Sequence, residues 1–192
     1  MNKILSLLAL LSIIFLSAST FSHSEKAKNK IRATWDENTP VAEILKNLGG
    51  EVSNHGVENP TAAMIEQGKD LVLKGIATTP NGNKTAKQSK SFVCTHCHNV
   101  QQEDPNLALP NPDDRLTYAV ENDMPFLQGT TLYGVVNRTS WYNNDYEKKY
   151  GDLVKPARNN LREAVQLCAV ECSQGRALEE WEMDAVIAYL WT

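Results

Sequence analysis

The chain has 192 residues, with 19 Lys and Arg against 23 Asp and Glu for a formal net charge of −4, 42% hydrophobic residues, 22% charged residues and four cysteines. This balance excludes a disordered tail, a collagen-like chain and a disulfide-dense miniprotein, and it indicates one globular domain large enough to bury a core without covalent staples. The mild acidity, without any basic block, excludes the clustered cationic footprint of a nucleic-acid binder, so the cysteines need another chemical explanation.

Met1-Asn2-Lys3, the apolar run Ile4 to Leu16 and the small residues Ser17-Ala18-Ser19-Thr20 follow the grammar of a cleaved secretory signal peptide. The run is shorter than the roughly 20 residues that cross a bilayer as a helix. Residues 1–22 are therefore expected to be removed, leaving an exported, periplasmic chain without a membrane span. Residues 23–58 read as a polar arm with one short helical pattern at Val41, Ile44, Leu45 and Leu48, set between Thr39-Pro40 and Gly49-Gly50.

Residues 59–192 read as the main domain. Asn59 as N-cap and Pro60 at the first helical position open a helix over Thr61 to Lys74, with Gly75 as its stop. Ile65, Gly68 and Val72 share one face. A mid-helix glycine costs about 1 kcal/mol of propensity, and here it is expected to let a second helix approach. Ile76 to Ser91 is a polar loop with a turn at Pro80-Asn81-Gly82-Asn83. Gln101 to Asp114 carries Pro105, Pro110 and Pro112 and reads as a wrapped loop. Asp123 to Tyr150 reads as irregular and aromatic, with Trp141, Tyr142, Tyr146 and Tyr150. Two helices close the chain. The first runs from Asn159 to about Glu171 with Leu161, Val165 and Cys168 on one face. The second follows the Gly175 break and runs from Leu178 to Leu190, its stripe of Trp181, Ala185, Val186, Tyr189 and Leu190 laid across the Gly68 notch.

Cys94-Thr95-His96-Cys97-His98 is a C-x-x-C-H sequence, the attachment signature of a c-type haem. Two thiols at this spacing each form a thioether to a haem vinyl group, and the next residue brings an imidazole to the iron. Export agrees with this reading, and a zinc site would need further clustered ligands that the sequence does not offer. The expected fold is an all-α, class I cytochrome c-like domain with long loops wrapped around one covalently bound haem. Cys94, Cys97 and His98 hold the group, and His96 is a bystander.

The iron's second axial ligand separates the possible functions, because a thioether raises the potential and a thiolate lowers it. The candidates are Met124, Met183, Met64, His55, Cys168 and Cys172. Met183 and Met64 suit helix packing, His55 suits a satisfied or exposed position, and Met124 lies in a loop that could swing over the haem. Cys168 and Cys172 stand four apart and point the same way, either toward the iron or into a disulfide with the helix distorted between them.

The stretch Leu161 to Cys168, then Gly175-Arg176-Ala177-Leu178 and Glu182 to Tyr189, resembles the haem domain of thiosulfate dehydrogenases and the related SoxA-type cytochromes of sulfur oxidation. The resemblance rests on the haem motif, the last 35 or so residues, and a cysteine placed seven residues before a glycine, as Cys168 is before Gly175. It implies iron ligation by His98 and Cys168, and chemistry at Cys168 with Cys172 as a nearby thiol. It also implies a small sulfur-containing anion as substrate, which Glu171 would repel unless Arg138, Arg158, Arg162 or Arg176 faces the haem and compensates. Where the family commonly has Arg and Ser three and four residues after the cysteine, this chain has Glu171 and Cys172, and Gln174 stands where Asn is usual. A single C-x-x-C-H implies a partner cytochrome to take the electrons. The alternative is a simple electron shuttle with His98 and Met124 on the iron and a structural Cys168–Cys172 disulfide; a haem-based sensor with an open sixth position is a third class.

Overall fold

The structure, a computed structural model, describes residues 55–107, 109–142 and 144–192. The expected signal peptide, and the helical pattern at Val41, Ile44, Leu45 and Leu48, lie outside these residues. The described residues belong to one unit, Ser53–Thr192, and are helical without strands. One isolated bridge, Thr78 to Lys84, closes the expected turn at Pro80 to Asn83.

Helix α1 (Ala62–Lys74) starts later than the sequence suggests. Asn59 takes a positive φ of 51° and so cannot hold the extended conformation of an N-cap. Thr61 does hold it, and its Oγ1 accepts the Met64 N–H at 3.2 Å. Gly75 ends the helix as expected, left-handed at φ 68° and donating to the Leu71 carbonyl.

The last helix, α5 (Glu180–Leu190), crosses α1 at Gly68 as the sequence implies. A Cβ placed on Gly68 would stand 1.9 Å from the Ala185 carbonyl oxygen, so the two backbones meet where only glycine fits. Leu71, Val72, Ala185, Val186, Ile187 and Leu190 form the centre of the core. The start of α5 is Glu180 rather than Leu178, because Glu179 and Glu182 close a capping box. Its buried surface is wider than the expected stripe. Met183, Ile187 and Ala188 are buried too, while Trp181 and Tyr189 are only half-buried. Glu182, fully buried, is paired bidentately with Arg176 at 2.5 and 2.6 Å.

Three corrections concern the middle of the chain. Gln101 to Asp114 is not all loop: Pro112 opens helix α2 (Pro112–Glu121) at a position where its missing N–H costs nothing, and Asn111 caps it through Asp113 N. The stretch Asp123 to Tyr150 contains a short helix, α3 (Asn144–Tyr150), on which the Tyr146 and Tyr150 rings stack at 6.0 Å. Helix α4 (Leu161–Leu167) is capped by Asn160 and starts after the expected Asn159. It widens into a π-turn over Cys168–Cys172 instead of running on as an α-helix.

Candidate functional site

Val93 is extended, and the chain then makes a single 3-10 turn over Cys94–His96. Cys97 N and His98 N both donate to the Cys94 carbonyl, at 3.1 and 2.9 Å. Backbone bonding thus holds the two cysteines and His98 in one tight turn. His98 Nδ1 lies 2.6 Å from the Thr130 carbonyl oxygen. Since a carbonyl only accepts, Nδ1 carries the proton and Nε2 keeps its lone pair. Burial holds the His98 pKa below the usual histidine value, so the ring is neutral at neutral pH.

Gly129 makes this arrangement possible. Its N–H donates to the Cys97 carbonyl at 2.7 Å, and a Cβ there would fall 2.3 Å from His98 Cε1 and 2.5 Å from Nδ1. Arg115 fastens the same loop from beneath. Its guanidinium donates to the Leu127 and Gly129 carbonyls at 2.8 and 2.7 Å and to Glu103 at 2.8 Å, and Glu103 in turn accepts the Thr131 N–H. Both members of the Arg115–Glu103 pair are buried. Arg138 is buried beside His98 and donates to Thr130 Oγ1 at 2.6 Å and the Thr131 carbonyl at 3.0 Å. Its Nε is buried with no hydrogen-bond partner, as is Trp141 Nε1.

Facing the motif is the π-turn. Its wide ring is closed by Ser173 N on the Cys168 carbonyl at 2.9 Å. The segment just before Cys94 clamps it in place: Ser89 Oγ donates to the Ser173 carbonyl at 2.6 Å, and Gln88 Nε2 to the Ala169 and Arg176 carbonyls at 2.9 Å. Gly175 lets the two segments of this clamp touch, since a Cβ there would lie 2.3 Å from Gln88 Nε2 and 2.4 Å from its carbonyl oxygen.

No disulfide joins any of the four cysteines. Cys172 is exposed and Cys168 half-buried behind it. The Tyr142 hydroxyl donates to the Ala164 carbonyl at 3.3 Å. The neighbouring Cys168 thiol lowers the Cys172 pKa to about 6, whereas Cys172 and burial push Cys168 upward, and burial pushes Tyr142 upward. Cys94 is exposed as a residue, and desolvation of its thiol pushes its pKa up to about 11.

The structure thus holds Cys94, Cys97 and His98 in one turn and ties the segment before it to the π-turn that carries Cys168 and Cys172. Met124 is half-buried in the turn that ends α2, with its N–H on the Ala119 carbonyl, in the loop that runs on to Gly129 on the His98 side. Met183 is buried in the core and Met64 packs against it. His55 is buried edge-on to Trp141 at 5.1 Å. Of the four arginines, Arg158 pairs with Glu147, Arg162 with Glu180 and Asp184, and Arg176 with Glu182; Arg138 alone among them stands beside His98. Thr130, Gly129, Gln88 and Tyr142 are site residues that sequence reasoning misses.

Among the described residues no helix is long and apolar enough to cross a membrane. Comparison with known protein families, with curated proteins and with solved structures finds no match to this chain.

Proposed function

We propose that this chain is an exported, periplasmic c-type cytochrome, class I-like in fold, that carries one covalent haem and transfers single electrons to a partner redox protein. In this reading Cys94 and Cys97 would hold the haem as thioethers, and His98, through Nε2, and Cys168 would hold its iron. The observation that carries it is the His98–Thr130 hydrogen bond within the C-x-x-C-H turn. It fixes the tautomer that leaves Nε2 free to bind a metal, the usual device by which metal-binding histidines are oriented. Gly129 keeps that ring in place, and Arg115 keeps Gly129 in place.

The fit extends to the periphery of the group. Arg138 is a buried cation with no carboxylate bonded to it and an unsatisfied Nε, which suits a haem propionate. When bound, the haem supplies reversible one-electron chemistry, and a thiolate ligand sets its potential low. Cys168 is favoured over Met124 because the Gln88 and Ser89 clamp turns the π-turn toward Cys94 and Cys97. With Cys172 beside Cys168, chemistry on sulfur compounds at this face follows as the catalytic form of the proposal.

Electron paramagnetic resonance of the ferric protein tests the reading. A compressed low-spin spectrum that is lost in Cys168→Ser is expected. A spectrum of histidine and methionine type, unchanged in Cys168→Ser and lost in Met124→Ala, would replace it with the electron shuttle.

A further inference from the structure

We propose that Cys172 and Cys168 form a thiol–disulfide exchange site, with Cys172 the attacking sulfur, Cys168 the resolving sulfur and small-molecule disulfides the substrates. The two roles follow from position. Cys172 is exposed at the end of the π-turn, while Cys168, at the start of the same turn, is less exposed. An incoming disulfide meets Cys172 first, and only Cys168 is placed to attack the mixed disulfide that results. The π-turn matters because its i to i+5 closure, Ser173 N on the Cys168 carbonyl, already departs from α-helical spacing. The two sulfurs can then close to bonding distance, roughly 2.0 Å, by local adjustment rather than by unwinding a regular helix. Cys94 and Cys97 are not alternatives in this role, because the proposed function commits both to thioethers.

The chemistry balances without another reactant. Cys172 attacks one sulfur of the small disulfide, forms a mixed disulfide and releases one thiol. Cys168 then attacks the Cys172 sulfur and releases the second thiol, so two protein thiols become one disulfide and one small disulfide becomes two thiols. The exchange goes beyond the electron-transfer reading and needs no haem. The two do meet at one atom, because a bridged Cys168 sulfur is no longer a thiolate and is withdrawn from the iron.

The test uses the full-length purified protein, equilibrated in glutathione buffers of graded reduced-to-oxidised ratio, then acid-quenched, alkylated and mapped by mass spectrometry. Alkylation at Cys168 and Cys172 should disappear together in one two-electron step. Cys168→Ser should accumulate one glutathione on Cys172, and Cys172→Ser should take up glutathione on Cys168 at least about tenfold more slowly. The proposal is overturned if both cysteines stay alkylatable at every ratio, or if the two single variants react at equal rates. Haem content is read on the same samples by absorbance. A haem-free protein that still shows the paired step removes the proposed function alone, and a haem-bearing protein without that step removes the exchange site alone.

Discussion

Gly129→Ala isolates the contact on which the His98 geometry depends. The Gly129 φ is not positive, so alanine meets no backbone penalty and only the new Cβ is felt. That atom would stand 2.3, 2.5 and 2.8 Å from three atoms of the His98 ring, and the ring must retreat by about 1 Å to regain van der Waals contact. Because Gly129 N is tied to the Cys97 carbonyl and His98 N to the Cys94 carbonyl, the backbone yields little and the ring swings away from Thr130. The lost 2.6 Å hydrogen bond costs about 1 kcal/mol and overpacking about 1–3 kcal/mol. Together these give about 2–4 kcal/mol, or roughly 5–15 °C in Tm for a domain of this size. Thermal unfolding followed by circular dichroism measures it, with Gly56→Ala as control, since a Cβ there meets nothing closer than Trp191 at 3.9 Å. Haem content of the purified protein should fall in parallel, because Nε2 is re-aimed. Equal Tm and equal haem content for the two variants would refute the packing argument.

Glu103→Gln keeps the side-chain shape but leaves the buried Arg115 charge without its partner; urea denaturation should show a loss of about 3–5 kcal/mol. Replacing both members with apolar residues should cost less than the sum of the two single replacements. Gly68→Ala should destabilise by more than about 3 kcal/mol in the same assay, because its Cβ meets the Ala185 carbonyl rather than a movable side chain. This result would have the opposite sign to the gain of about 1 kcal/mol expected from helix propensity. Burial lowers the His55 pKa below its reference 6.5, so the unfolded chain binds the proton more tightly. The contribution of His55 is complete above pH 6.5 and is lost as pH falls from there through the lowered folded value. The Tm drop between about pH 7.5 and about pH 5.5 should therefore shrink in His55→Asn.

Helices α1, α4 and α5 are legible in the sequence because apolar spacing and terminal residues agree. Their starts are misread by one or two residues, since more than one residue near each start could serve as the cap and only the fold decides which is used. Thr61 takes that role from Asn59, and Glu179 displaces the start from Leu178. Helix α2 is hidden because Pro112 reads as a breaker, although a proline at a helix start breaks nothing. Helix α3, NDYEKKY, has no apolar period to reveal it. The π-turn is illegible for a different reason: helical spacing continues through Cys168 and Cys172, and the clamp from Gln88 and Ser89 lies some eighty residues away.

In the candidate site, Cys94, Cys97 and His98 are legible because their chemistry is carried by side chains at fixed spacing. Thr130 acts through its carbonyl and Gly129 through the absence of a side chain, and neither leaves a local pattern. Tyr142 was visible only as one aromatic residue among several.

The central claim is tested most directly by the intact mass of the chain, produced with a cytochrome c maturation system in an oxidising compartment. The account predicts one haem per chain, retained under denaturing conditions and lost when Cys94 and Cys97 are both replaced by alanine. A mature chain of unmodified mass, with Cys94 and Cys97 both open to alkylation, would contradict it.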